Sequence, residues 1–239
     1  MKKYLFFSLL SVSILILASG CGFSDKGNVE GTKVTIEKDK ANELQLELGI
    51  GAGELNVEAG ANEWVEGTIE VTHKKLKTDV SYKLKEDTGK GIIKQDDGFF
   101  DNMNFDNVKN KWDLKLNSEV PTELIVNSGA ALSRLDLKGL NLSTLEVNAG
   151  VGDVTIDLGG KWEKSFDASL KMGVGKSTII LPKEVGVKII SSKGIGNTNF
   201  VGFISEGDGI YVNEAYKDAD VIIHLNTELG IGEVNFQME

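Results

Sequence analysis

Six short segments of this chain are variants of one another, and a chain built from copies of one unit can fold only in ways that let the copies stack. They are GAGELNV (51–57), AALSRLDL (130–137), GVGDVTI (150–156), GVGKSTI (173–179), GIGNTNF (194–200) and GIGEVNF (230–236). Position zero is taken as Gly51, Ala131, Gly150, Gly173, Gly194 and Gly230 in turn. The copies then recur at about 20 residues, the length of one solenoid rung, with two longer insertions. Position +6 holds Val57, Leu137, Ile156, Ile179, Phe200 and Phe236, while +5 holds Asn56, Asp136, Thr155, Thr178, Asn199 and Asn235. Position +3 is Glu54, Arg134, Asp153, Lys176, Asn197 and Glu233, polar throughout. Alternation with period two marks a half-buried strand, so +4 and +6 are expected inward and +3 and +5 in solvent.

Upstream, position −5 holds Leu46, Val126, Leu145, Ala168, Ile189 and Leu225, and position +1 holds Ala52, Leu132, Val151, Val174, Ile195 and Ile231. Both columns read as inward. Odd positions then face the core before the corner and even positions after it, which a continuous strand cannot do, so a bend or bulge belongs near +2. Position +2 is Gly53, Ser133, Gly152, Gly175, Gly196 and Gly232, mostly the residue that accepts unusual backbone angles and a close neighbour. The structural glycines are therefore Gly51, Gly53, Gly150, Gly152, Gly173, Gly175, Gly194, Gly196, Gly230 and Gly232. The fold class that follows is an all-β, Gly-cornered solenoid of stacked rungs. Within the first insertion, Trp64 to Thr72, Val80 to Lys85, Gly91 to Lys94 and Trp112 to Asn117 have strand character. They read as an antiparallel meander that caps the first rung and hides its edge. The second insertion, Val201 to Ala219, reads as a loop or extra hairpin near the other end.

Ahead of the repeats, Lys2 and Lys3 precede an apolar run from Tyr4 to Leu17, the pattern of an export leader and too short for a mature membrane span. Ala18, Ser19 and Gly20 then lead into Cys21, the single cysteine. This resembles the lipobox of bacterial lipoproteins, which implies cleavage before Cys21 and a lipid on its thiol. Two or more acyl chains suffice for stable anchoring. The expected organisation is a leader over 1–20, an anchor and polar tether over 21–32, the first rung and its cap over 33–121, and the solenoid over 122–239. The expected location is the extracytoplasmic face of a cell membrane.

Charge narrows the partners. Acidic residues number 36 against 26 basic, a net −10 that becomes more negative once the leader is lost. Nucleic acid and anionic lipid both need local positive charge and are poor partners for such a chain. GVGKST (173–178) resembles the end of a phosphate-binding loop, but Leu170 stands where that loop needs glycine, and Ile179, Ile180, Leu181 and Pro182 continue as strand. No nucleotide or other cofactor is expected. The acidic loop Asp96, Asp97, Asp101, Asn104 and Asp106 lacks the alternation and closing Glu of a calcium loop and reads as a solvated turn. His73 and His224 fall on different repeats without metal-ligand spacing, so neither a zinc site nor a triad is expected.

From Trp112 onward, KWDLKLNSEVP, TELIVNSGAA, LSTLEVNAGVGDVTIDL and the later GxG rungs resemble the bacterial toast-rack β-repeat family, also called "putative adhesin-like" repeats. ELQLELGIGAGELNV, near the start, is similar to that family's N-terminal element. The resemblance covers about residues 43–239. It implies an envelope setting, with LiaF-type stress proteins among the relatives, and no catalytic residues to carry over. The expected function is that of a lipid-anchored, non-enzymatic envelope protein whose solenoid face scaffolds or binds a protein or wall glycan. Two alternatives stand beside it. One is an envelope-stress regulator. The other is a polysaccharide-acting enzyme, which would need facing carboxylates such as Asp153 with Glu54 or Glu233.

Overall fold

The computed structural model describes residues 31–72, 76–95, 109–192 and 194–239. Five long strands form its body: β2 (Glu43–Ala59), β7 (Thr122–Asp136), β8 (Leu142–Asp157), β9 (Phe166–Leu181) and β14 (Ile222–Met238). They stack in parallel in the order β2–β7–β8–β9–β14. Each is one rung, bent at its glycines into two arms. In β9, Ala168, Leu170 and Met172 are buried before the corner and Ser177, Ile179 and Leu181 after it. The inward residues of both arms belong to one continuous core, so a rung clasps apolar side chains between its own halves and its neighbours'.

Two glycine columns permit the stacking. A Cβ at Gly129, Gly150, Gly173, Gly230 or Gly194 would stand under 3.0 Å from a carbonyl oxygen of the preceding rung: Gly51, Gly129, Gly150, Gly173 and Gly230 in turn. The second column does the same, with Gly152, Gly175, Gly232 and Gly196 over Ala131, Gly152, Gly175 and Gly232. Its glycines also hold φ between +135 and +144, a backbone that side chains strain to adopt. Peptide planes thus approach closely twice per rung.

The coordinates revise two sequence expectations. In β7, Ile50 pairs with Ser128 and Ala52 with Ala130, so position zero is Gly129 rather than Ala131. The slip is of two residues and keeps every inward residue inward, which is why Leu124, Val126, Leu135 and Leu137 are buried in either register. The +1 column, expected inward, points into solvent: Val151 is 57% exposed, Val174 48%, Ile231 54% and Ile195 74%. The face changes across four unburied residues, Gly173 to Lys176 in β9, with the positive φ at Gly175, so the corner leaves +1 outside the core.

Both ends of the stack finish in a split rung. On the β2 side, β5 (Thr88–Gln95) runs parallel to the first arm and β6 (Asn110–Leu116) parallel to the second. The antiparallel pairings of the cap lie outside these: β3 (Val65–Val71) on β6, β1 (Thr32–Ile36) on β3, and β4 (Thr78–Lys85) on β5. On the far side, β10 (Gly186–Ser192) and β11 (Ile195–Phe200) flank β14, so the C-terminal strand is inserted between β9 and elements that precede it in the chain. β12 (Ile204–Gly207) and β13 (Ile210–Val212) form the hairpin of the second insertion and cover β10. Tyr211 of β13 stacks on Phe200 with centroids 3.5 Å apart, and Phe200 stacks on Phe236 at 4.7 Å. The tyrosine extends the +6 column one step past the last rung.

A polar knot ties down the cap. One oxygen of Asp39 accepts from the Ala41 N–H at 3.0 Å, the Trp64 indole at 3.1 Å and the Tyr82 hydroxyl at 2.8 Å. Burial raises the Asp39 carboxyl's pKa, but these three donors outweigh that and hold it below its ordinary value. Burial and the hydrogen bond to Asp39 push the Tyr82 hydroxyl from 10.0 to about 12.

Gly175→Ala adds a carbonyl clash to φ strain and is expected to cost more than about 3 kcal/mol. Gly60→Ala, where φ is +111 and nothing lies within 4 Å, carries the strain alone, about 1–3 kcal/mol. Urea unfolding of the two variants isolates the stacking contribution. Because the folded-state pKa of Tyr82 is raised, its share of stability is whole below pH 10.0 and lost as pH climbs through about 12. Tyr82→Phe is expected to remove that part of the high-pH decline in urea midpoint, and an unchanged decline would refute the assignment.

Candidate functional site

A column of glycines leaves no side chains to fill the space above it, and the neighbouring columns become walls. Along the five rungs, Gly51, Gly129, Gly150, Gly173 and Gly230 floor an open trough of about 930 Å³. Beside the floor, two positions earlier in each rung, stand Asn127, Asn148, Lys171 and Glu228. Glu47 and Lys94 close the end nearest the cap. The amides are ordered by one another: Asn148 donates to the Asn127 side chain at 2.9 Å and to Glu146 at 2.9 Å. Lys171 lies 3.9 Å from Glu228. On the other side of the glycines in sequence comes the exposed aliphatic column Val151, Val174, Ile231 and Ile195. The corner thus joins a hydrogen-bonding strip to an apolar ridge, both repeating at the rung spacing of about 4.8 Å.

The residues singled out from sequence fall as follows. All ten structural glycines lie in the two corner columns. Asp153, Lys176 and Glu233 occupy one outward column on consecutive rungs, with Lys176 between the carboxylates and 3.8 Å from Glu233. Lys176 is a strand residue in a charge ladder. Glu54 is removed from both acids and pairs with Arg134 at 2.9 Å. The +5 amides form a second ladder, Asn199 donating to Asn235 at 2.7 Å and Asn235 to Glu233 at 2.8 Å. His224 meets Asp167 at 3.2 Å across two rungs. Cys21, His73 and the acidic loop 96–106 lie outside the described residues. Among the described residues, no group of three or more His, Cys, Asp or Glu could hold a metal, and no helix is long and apolar enough to cross a membrane. The Asn127–Asn148 ladder was not anticipated, because the two-residue slip in β7 puts Asn127 out of line with Asn148. Aligning on Gly129 would have exposed it.

The family described as "N-terminal domain of toast_rack, DUF2154" matches residues 25–180, well over half of the chain. The chain belongs to the toast-rack family. A crystal structure from Clostridium sporogenes ATCC 15579, named "a putative cell adhesion protein", is 31% identical to it. That likeness spans 88% of this chain and 99% of the other, with a TM-score of 0.84. "A putative adhesin" from Bacteroides fragilis NCTC 9343 is 13% identical over 87% of this chain and 98% of its own, with a TM-score of 0.36, and carries no weight here. Among curated proteins none matches.

Exposure of the +1 column makes a direct forecast for this toast-rack chain. Val174→Asn should change stability by no more than about 0.5 kcal/mol. Ile179→Asn, five residues on and fully buried, should cost several kilocalories or abolish folding. Chemical denaturation of both variants checks it, and comparable losses would return Val174 to the core.

Proposed function

We propose that this chain is a membrane lipoprotein of the extracytoplasmic face, held by a lipid on Cys21, and that its trough binds an extended envelope partner without catalysing a reaction. The partner is a protein segment or a wall glycan strand. The observation that carries this reading is the open trough itself, a straight channel with a backbone floor, a ladder of amides and opposed charges along one side, and an aliphatic ridge next to it. Such a channel suits a linear polymer lying across the rungs. It offers hydrogen bonds at a regular repeat and little enclosure, which favours recognition of a long chain over capture of a small molecule. Support also comes from the name given to the Clostridium sporogenes relative, a cell adhesion protein. The stacked glycine backbone keeps the walls in fixed register, so binding costs little ordering of the protein.

The anchor follows from the leader and the single cysteine. It leaves the folded domain at the end of a polar tether, in reach of wall and envelope proteins.

The full-length protein in detergent, presented to purified wall sacculi and to solubilised envelope proteins, should retain one of them reproducibly. Asn148→Arg combined with Lys171→Glu, both on outward positions, should reduce that retention at least about tenfold, a loss of about 1.4 kcal/mol. Labelling with a radioactive fatty acid should mark the wild type and not Cys21→Ser. Equal retention by the trough variant would remove the trough from the reading, and an unlabelled wild type would remove the anchor.

A further inference from the structure

Among the described residues, four strands lie at edges of the sheet: β1, β4, β12 and β11. Exposed edges invite pairing, and charged residues are the usual deterrent. β1 carries Lys33, β4 carries Asp79, Lys83 and Lys85, and β12 carries Glu206. β11, Ile-Gly-Asn-Thr-Asn-Phe over 195–200, carries no charge and no proline and pairs on one side only, with β14. The three most exposed large apolar residues of the described chain cluster at this end: Ile195 at 74%, Val201 at 64% and Ile204 at 58%. The hairpin that covers β10 reaches β11 through the Tyr211 ring on Phe200 and makes no backbone ladder with it, since β13 pairs with β10 alone among the rungs.

We propose that the outer edge of β11 is a strand-addition site for a Gly-x-Gly rung of another protein, entering parallel and continuing the stack by one step. The stack itself defines the occupant. Going from β2 to β11, each rung lays its corner glycines over the carbonyl oxygens of the one before, and a Cβ there would come under 3.0 Å. The carbonyls of Gly194 and Gly196 are the last in the series and have no successor. A strand that covers them in the same register needs glycine at position zero, which is glycine in every rung, and glycine at +2, where Ala131 of β7 is the one substitute. It also needs a small residue or an end at +6, because Tyr211 already lies on Phe200. The span available is six residues, about 20 Å of strand.

A second copy of this chain does not meet these terms. Its corner rungs β2, β7, β8, β9 and β14 are each paired on both sides, and its own β11 is free only on the same outer side. Two β11 edges meeting antiparallel would not lay glycine over the carbonyls of Gly194 and Gly196 in the parallel register of the stack. The site adjoins the far end of the trough, which Ser192 lines, and shares Ile195 with its aliphatic ridge, but the strand addition does not require the trough to bind anything.

The test uses full-length, isotope-labelled protein in detergent and the peptide Gly-Val-Gly-Lys-Ser-Thr, the sequence of residues 173–178, which ends before +6. Millimolar peptide should shift amide resonances confined to 194–200 and the adjoining hairpin. The same peptide with alanine at both glycines should bind at least about tenfold more weakly. Three results would each overturn the proposal. One is no shift with the glycine peptide, or shifts elsewhere. Another is equal binding of the alanine peptide. The third is concentration-dependent broadening of the β11 signals without peptide, which would assign the edge to a second copy.

Discussion

Removal of a Cβ at two places in most rungs, and at one in β7 where Ala131 takes the second, leaves room for the carbonyl oxygens of the neighbouring rung, and the rest of this molecule follows from that contact. With the backbones so close at the corner, both arms of each strand stay in register with the rung below along their whole length. The inward columns then superimpose. Leu46, Leu124, Leu145, Ala168, Leu225 and Ile189 fall in one file, and Val57, Leu135, Ile156, Ile179, Phe236 and Phe200 in another. A core made of files has no large side chain reaching from one side of the domain to the other, and it can end only where something covers the last member. Leu114 of β6 follows Val57 on the β2 side, and Tyr211 lies over Phe200 on the far side.

The same geometry governs the outside. Four or more consecutive residues are unburied at the corners of β2, β8, β9 and β14, and in β7 only Ala131 interrupts the run, so the corner is a broad strip and not a point. Apolar side chains at +1 gain no burial there, yet four of the rungs carry Val or Ile at that position. β-branched residues suit strongly twisted extended backbone on local grounds. That preference accounts for their presence without requiring burial, and it is the reason their chemical character misleads when read as a sign of the core.

How far the sequence reveals this fold depends on how many glycines mark each rung. Where both are present, as in GVGDV, GVGKS and GIGEV, the register is legible to the residue, and the change of face follows from the parity of the apolar positions. In β7 a single glycine remains, and Ala131 and Ser133 offer a second match two residues away that preserves every inward position. Parity cannot separate the two, so the error is silent in the core and visible only in the outward columns, where it hid Asn127. β1 was not foreseen as a strand. Five residues with a single Val and Ile facing inward give too short an alternation to stand out, and its place is decided by pairing with β3. Rung order was illegible for a deeper reason. Units with the same columns stack equally well in any sequence as far as their apolar residues are concerned.

Order has to be chosen by what differs between rungs, and the differences lie on the surface. β14 meets β9 with two opposed charge pairs directly across the ladder, Glu228 with Lys171 and Glu233 with Lys176, and with His224 opposite Asp167. Were β10 and β11 to stack on β9 instead, in chain order, Lys171 would face Ser192 and Lys176 would face Asn197 by the same register. Asp167 would face Lys188 in that order, so only the Glu228–Lys171 and Glu233–Lys176 contacts favour the observed one, each by about 0.2–1 kcal/mol. Length acts with them. β14 runs unbroken for 17 residues and can hold two neighbours along both arms, whereas β10 and β11 are separate strands and fit best at an end, as β5 and β6 do at the other. The inserted C-terminal strand therefore places the charges of the trough wall. Glu228 stands beside Lys171 because β14 lies against β9, so the rung order sets the chemistry of the outer face.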